Sequence, residues 1–171
     1  IDCTGITIAP LFAYSGFSGT MKGANSDPVI SNLTIVDVDS TKAQCGFISK
    51  LIGGELDNIT IENTTVYSNY EGAALCGYST GTIKNCLIQG YVLIYAPFKA
   101  GILLAFNDES NNNIGSIEDC EINIDSDTAS LVNGISFTYN SKTYGPTNYG
   151  ERTGSVGHFQ GTGSIHFTSI S

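Results

Sequence analysis

The sequence predicts an all-β protein, a parallel β-helix or β-solenoid of about five to six rungs. A short motif recurs four times, at spacings of 26, 27 and 34 residues. Its copies end in alternating apolar, polar and apolar residues, as strands with one buried face do. No segment shows the i, i+3, i+4 rhythm of an amphipathic helix, and 20 glycines punctuate the chain as turn residues.

The motif reads apolar, any residue, Asn or Asp, apolar, any residue, Ile, and its copies span residues 30–35, 56–61, 83–88 and 117–122. Successive rungs lie about 4.8 Å apart, so equivalent residues should stack directly. The expected inward columns are Leu33, Ile59, Cys86, Cys120 and Ile35, Ile61, Ile88, Ile122, beside a ladder of Asn32, Asn58, Asn85, Asp119. The ladder indicates either amide hydrogen bonds between rungs or turns with unusual backbone angles.

The whole chain, residues 1–171, is predicted to form one solenoid domain. Residues 1–29 would be an irregular first rung or N-terminal cap, 30–135 the repeats, and 136–171 an irregular Gly/Tyr-rich terminal rung or cap. The polar segment 107–113 should bulge from one face as a loop, where solenoids often carry function. Because the first residue is Ile rather than Met, we expect a processed product or a piece of a longer chain.

The charge balance bears on partners. Sixteen acidic residues oppose seven basic ones, for a net charge of −9. A chain this acidic should not bind a phosphate backbone, so no nucleic-acid partner is predicted. No apolar run reaches the ~20 residues that a membrane-spanning helix needs, so no membrane span is predicted.

The repeats resemble those of the GLUG-type repeat β-solenoid family. The likeness lies in F-S-G-T-x-x-G through I-S-N-L-T-I (17–35), G-T-I-K-N-C-L-I (81–88) and A-G-I-L-L (100–104), and extends over residues 15–135. The resemblance implies a solenoid fold of the kind found in bacterial surface adhesins and structural proteins of large DNA viruses. It implies no catalytic residues. The inserted loop and the Tyr/Gly-rich tail depart from the family pattern.

The five cysteines are Cys3, Cys45, Cys76, Cys86 and Cys120. The repeat makes Cys86 equivalent to Cys120, and Cys45 to Cys76. We expect buried free thiols rather than disulfides, because stacked neighbours in a parallel ladder point the same way. Three glycosylation sequons begin at Asn32, Asn58 and Asn63, and we interpret them as by-products of the repeat.

No catalytic, cofactor-binding or metal site is predicted, and no cofactor. A lyase or glycosidase would need clustered carboxylates, but with 16 acids and a repeating geometry close pairs are expected by chance. The tail tyrosines would bind sugars, pack on a partner or fill the cap. The groups weighed were the acids Asp37, Asp39, Glu55, Asp57, the histidines His158, His166, and the tyrosines Tyr139, Tyr144, Tyr149.

The sequence therefore favours a non-enzymatic structural or adhesive module that contacts other proteins, or itself, in a large assembly. The thiol-rich, Arg-poor composition favours a virion component, a minor capsid or spike-like protein assembled in the host cytoplasm. The alternative is a cell-surface or secreted adhesin domain that binds carbohydrate or protein. A polysaccharide lyase or glycoside hydrolase is the third hypothesis and the weakest.

Overall fold

The computed structural model describes residues 1–13, 15–24, 28–107, 115–125, 130–132, 137–144, 152–159 and 165–170. These residues form strands and turns without a helix, as predicted. The strands are β1 (Thr7–Ile8), β2 (Thr20–Lys22), β3 (Val29–Asp37), β4 (Gln44–Cys45), β5 (Ile48–Leu51), β6 (Glu55–Asp57), β7 (Thr60–Ser68), β8 (Glu71–Ala73), β9 (Cys76–Ser79), β10 (Thr82–Lys84), β11 (Leu87–Tyr95), β12 (Lys99–Asn107), β13 (Ser116–Ile124), β14 (Ser130–Val132), β15 (Phe137–Tyr139), β16 (Lys142–Tyr144), β17 (Arg152–Phe159) and β18 (Ile165–Ile170).

The chain winds as a parallel β-solenoid. Complete turns begin at β2, β6 and β10, and each strand of a turn pairs in parallel with the equivalent strand of the next. Strand β1 lies on β3 at one end, while β14, β17 and β18 lie on the last complete turns at the other. The parallel solenoid is confirmed.

The predicted number of rungs is wrong, since the solenoid has about three turns rather than five to six. Insertions explain the difference. Strands β2 and β6 begin 35 residues apart, and β10 and β13 begin 34 residues apart, whereas β6 and β10 are only 27 apart. The longer turns use up chain that the prediction assigned to further rungs.

One predicted inward column is largely present. Ile61 pairs with Ile88, and Ile88 with Ile122, and all three side chains are fully buried. Leu56, Ile83 and Ile117 form a parallel column beside it. Burying one such side chain contributes about 1.5–3 kcal/mol, so these columns are the main source of stability along the axis.

The first motif copy was placed in the wrong register. Ile30, not Ile35, pairs with Ile61, and Ile35 pairs with Val66. Leu33 consequently stacks on Thr64 rather than on Ile59, so the expected column of Leu33, Ile59, Cys86 and Cys120 holds only for its last three members. The cause is that a turn has two left-handed corners five residues apart, such as Asn58 and Asn63, and Asn32 of the first copy lies at the second corner, not the first.

These corners are left-handed. Asn58, Asn85 and Asp119 have φ of 55°, 51° and 51° at the first corner, while Asn32 and Asn63 have 59° and 54° at the second. Asn is the residue other than Gly that tolerates this conformation best. The predicted ladder is thus two ladders, and the first complete turn has Gly23 opposite Asn58.

The corner amides also bond between rungs. Asn63 Nδ2 donates to Asn32 Oδ1 at 3.4 Å, and Asn85 Nδ2 donates to Asp57 Oδ1 at 2.8 Å. Both interpretations of the Asn pattern, turn former and bonding ladder, therefore apply. Glycosylation at Asn32 or Asn63 would modify an amide nitrogen that is already a donor in these contacts.

The C-terminal part folds back on the solenoid through an antiparallel hairpin, β15 and β16. Tyr139 contacts Tyr67 with ring centroids 4.8 Å apart, and Lys142 Nζ lies 3.4 Å from Asp39 Oδ1. The hairpin thus lies over the outer side of the β3-β7-β11 ladder.

Within the described ranges there is no helix that is long and apolar enough to cross a membrane.

Candidate functional site

The outer face of β2, β6, β10 and β13 carries a ladder of alternating charge. Lys22, Asp57, Lys84 and Glu118 occupy equivalent positions on successive turns. Lys22 Nζ lies 2.8 Å from Asp57 Oδ2, and Lys84 Nζ lies 2.9 Å from Glu55 Oε2. Hydrogen bonds from Asn85 and Lys22 lower the pKa of Asp57, and the hydrogen bond to Glu55 raises the pKa of Lys84.

The four acids considered from the sequence do not converge. Glu55 and Asp57 take part in this charge ladder, whereas Asp37 ends β3 and pairs with Ser68, and Asp39 is exposed beside Lys142. Among the described residues no group of three or more His, Cys, Asp or Glu side chains could hold a metal ion. Within the part of the chain that the structure describes, the four weighed acids are therefore divided among three places: the charge ladder, the end of β3 and the exposed position beside Lys142.

A buried ion pair, which the sequence analysis did not identify, links two turns on the opposite sheet. Lys99 Nζ lies 2.9 Å from Glu71 Oε1, and the two residues are 6% and 2% exposed. Gln44 Nε2 donates to the other carboxylate oxygen at 3.1 Å. The ammonium also lies over the rings of Phe98 and Phe106, at 4.3 and 3.2 Å from their centroids. The sequence signal that could have revealed the pair is the spacing of Glu71 and Lys99, which lie 28 residues apart, about one turn.

The aromatic residues stack along the axis. Tyr67 and Tyr95 lie with ring centroids 4.9 Å apart and planes 5° from parallel, and Tyr139 covers Tyr67. Burial and the neighbouring tyrosines Tyr95, Tyr91 and Tyr139 raise the pKa of Tyr67. Tyr139 therefore packs on the solenoid itself.

The remaining residues weighed from the sequence lie in the C-terminal strands or outside the described residues. Tyr144 ends β16 and pairs with Phe137. His158 lies in β17, on β12, and His166 in β18, on β13, so the two histidines belong to different sheets. Tyr149 and residues 108–113 of the polar loop lie outside the described residues.

All five cysteines are buried and free, in agreement with the expected small buried hydrophobes. Cys86 and Cys120 are equivalent, as predicted, because Glu121 N bonds to the Cys86 carbonyl and Glu118 pairs with Lys84. Cys45 and Cys76 are not equivalent, since Cys45 pairs with Gly72 while Cys76 pairs with Ile48. The motif around Cys-Gly occurs at two different places in the turn, so sequence likeness misaligned it.

Two pockets open at the end of the solenoid where the chain begins. The apolar pocket, of about 520 Å³, is lined mainly by Met21, Pro28, Val29, Ile30, Phe47 and Ile59. The polar pocket, of about 360 Å³, lies where β3, β4 and β5 meet. Its lining is Ala13, Asp37, Ser40, Thr41, Lys42, Ala43, Gln44, Ser49 and Lys50.

Internal hydrogen bonds shape the polar pocket. Ser49 Oγ donates to the Gln44 carbonyl at 2.7 Å, and Ser40 N donates to Asp37 Oδ1 at 3.3 Å. Lys42 holds the turn in the left-handed region with φ of 58°. These contacts hold Asp37, Ser40, Gln44 and Ser49 in place in the pocket wall.

No family model matches the chain, and neither the curated proteins nor the solved structures with which it was compared yield a match. The resemblance to the GLUG-type repeats remains a prediction from the sequence motifs.

Proposed function

We propose that the chain is a non-enzymatic structural or adhesive solenoid module that contacts other proteins of a large assembly, namely a virion built in the host cytoplasm. The observation that carries the proposal is the direction of its ion pairs. Lys22–Asp57, Lys84–Glu55 and Lys99–Glu71 each join two different turns. Charges used in this way stiffen the stack and do not converge on a substrate.

The packing supports the same function. Each complete turn satisfies the backbone of the next through parallel ladders, and one continuous core of buried apolar residues runs through all of them. Such an architecture gives a rigid body whose exposed positions can vary, because the stacked inward columns are the main source of its stability. The buried free thiols and the composition favour assembly in a reducing compartment over secretion.

Cross-linking mass spectrometry on purified particles of the source tests the proposal. Amine-reactive linkers would report through Lys22, Lys84 and Lys142, of which Lys22 and Lys142 have well-exposed side chains. We expect cross-links to other structural proteins or to a second copy. Recovery of the chain only from the soluble fraction, without intermolecular cross-links, would contradict the proposal.

The second candidate is a cell-surface or secreted adhesin domain, and the polar pocket at one end favours it. Intact mass of the native protein distinguishes the two, since occupied sequons or oxidised cysteines indicate secretion. The third candidate, a lyase or glycosidase, predicts release of reducing or unsaturated ends from a polysaccharide. That activity should disappear in Asp57→Asn or Asp37→Asn if either carboxylate is catalytic.

A further inference from the structure

The polar pocket contains lysines that differ from the rest. Of the chain's six lysines, Lys22, Lys84, Lys99 and Lys142 each face a carboxylate within 3.4 Å. Lys42 and Lys50 form no ion pair or side-chain hydrogen bond within the ranges that the structure describes. These two residues line the same pocket.

Two unpaired ammonium groups in one concavity are unexpected for a chain with a net charge of −9. Two carboxylates near the pocket form ion pairs with other lysines: Asp39 pairs with Lys142, and Glu71 pairs with Lys99. The lining carries two ammonium groups against the single Asp37 carboxylate, and a concave surface with such an excess of positive charge attracts an anion. The pocket therefore suits an anion.

The remaining lining specifies more than charge. The hydroxyls of Ser40 and Thr41 make no hydrogen bond with described residues and can each donate or accept. The Asp37 carboxylate, which accepts one bond from Ser40 N, is an acceptor for a hydroxyl and repels a second negative charge. Ala13 and Ala43 add a small apolar surface.

We propose that this pocket binds a single carboxylated sugar, a uronic-acid unit of an acidic polysaccharide. Lys42 and Lys50 would pair with the sugar carboxylate, and Asp37, Ser40 and Thr41 would bond its hydroxyls. A pocket of about 360 Å³ lies in the range of about 300–1,000 Å³ that is typical of small-molecule sites. An acidic peptide fits less well, because a peptide backbone has no cluster of hydroxyls that could donate to the Asp37 carboxylate. The inference is independent of the proposed scaffold function.

The test is a nuclear magnetic resonance titration of the ¹⁵N-labelled chain with methyl β-D-glucuronide. We expect saturable shifts of amides in residues 37–50, which weaken as salt screens the charges. Methyl β-D-glucoside is the same ring without the carboxylate. It should bind at least about tenfold more weakly, since a charge-assisted bond is lost. Equal binding of the glucoside, or no saturable shift in this segment, would overturn the proposal.

Variants locate the site. Lys42→Gln and Lys50→Gln should each weaken glucuronide binding about tenfold. Lys84→Gln makes the same charge change on the β2-β6-β10 face and should leave binding unchanged. Equal weakening by Lys84→Gln would show that only net charge matters and would reject the pocket. Melting curves of the three variants verify folding, and the two pocket lysines are tested separately so that one misfolded variant leaves the other informative.

A capped glutamate peptide distinguishes the source of the carboxylate. If it binds as tightly as the glucuronide, the sugar assignment is wrong and the pocket receives an acidic protein segment. Weaker binding of the peptide supports the sugar. Failure of these titrations leaves the cross-links expected for a scaffold unaffected, so the two proposals can fail separately.

Discussion

Lys99 and Glu71 form a 2.9 Å ion pair across two turns, although both side chains are almost completely buried. The pair is completed by Gln44 from the preceding turn and by two aromatic rings over the ammonium. Removing charges from water costs several kcal/mol for each ion, so this arrangement holds only while each charge keeps its partner.

Breaking the pair should therefore destabilise the solenoid strongly. We expect Lys99→Met to lower the free energy of unfolding by about 3–5 kcal/mol, because the buried Glu71 carboxylate loses its ion pair with Lys99. The double variant Lys99→Met/Glu71→Leu should recover most of this loss, since both charges of the pair are then removed. Urea denaturation of the single and double variants measures both values. A single variant that costs under about 1 kcal/mol would show that the site is hydrated.

Gly90 should not tolerate a side chain. Its φ is +72°, and an added Cβ would clash with Asn63 Oδ1, which already accepts a hydrogen bond from Tyr91 N at 2.9 Å. Gly90→Ala should lower the free energy of unfolding by about 1–2 kcal/mol because of the left-handed backbone. Displacement of the Asn63 side-chain amide should lower it further.

Gly53→Ala is the matched control for Gly90→Ala. Gly53 has φ of +63°, but nothing lies within 4 Å of an added Cβ. Its variant should lose only the conformational part, so the difference between the two thermal unfolding curves isolates the clash with Asn63. If Gly90→Ala and Gly53→Ala lost the same stability, the side chain of Asn63 would not lie against Gly90 and the prediction would be wrong.

Asp57 should make stability depend on pH. Bonds from Asn85 and Lys22 lower its folded pKa below the ordinary value of 3.8. The ionised form then stabilises the fold above that value, and the stabilisation is lost as the pH falls through the folded pKa. Asp57→Asn should cost about 1–2 kcal/mol at pH 7, and the gap from the original chain should shrink below about pH 4.

Asp39→Asn provides the comparison for Asp57. Asp39 is 83% exposed beside Lys142, and exposed ion pairs contribute about 0–1 kcal/mol. Its variant should stay close to the original chain in chemical denaturation between pH 3 and 7. A pH dependence that Asp39→Asn removes and Asp57→Asn preserves would contradict the assignment.

The thiols of Cys45 and Cys76 should be unreactive while the chain is folded. Burial raises the pKa of Cys76 to about 12, and burial likewise raises the pKa of Cys45. Because the thiolate is the reactive form, alkylation at pH 8 should reach these two only through unfolding. Cys3 is the most exposed cysteine, at 8%, and should react first. Peptide mapping with and without denaturant measures the order, and fast native labelling of Cys45 or Cys76 would contradict it.

Much of the fold could be predicted from the sequence, because stacking repeats the same side chain at the same place. Ile61, Ile88 and Ile122 follow directly from that pattern. The position of Leu33 could not be predicted in this way, because the corners at Asn58 and Asn63 present nearly the same local motif and both adopt left-handed φ. Local chemistry cannot distinguish two corners that need the same backbone conformation.

By itself the sequence determined that the strands are parallel, stacked and separated by Asn corners, since a repeated alternation of apolar and polar residues permits few other ways to bury its apolar face. Only the tertiary structure decided which corner the first copy forms, that Glu71 pairs with Lys99, and that Lys42 and Lys50 share a pocket. The reason is that these contacts join residues that the winding of the chain brings together, and the winding depends on insertions whose length carries no local signal.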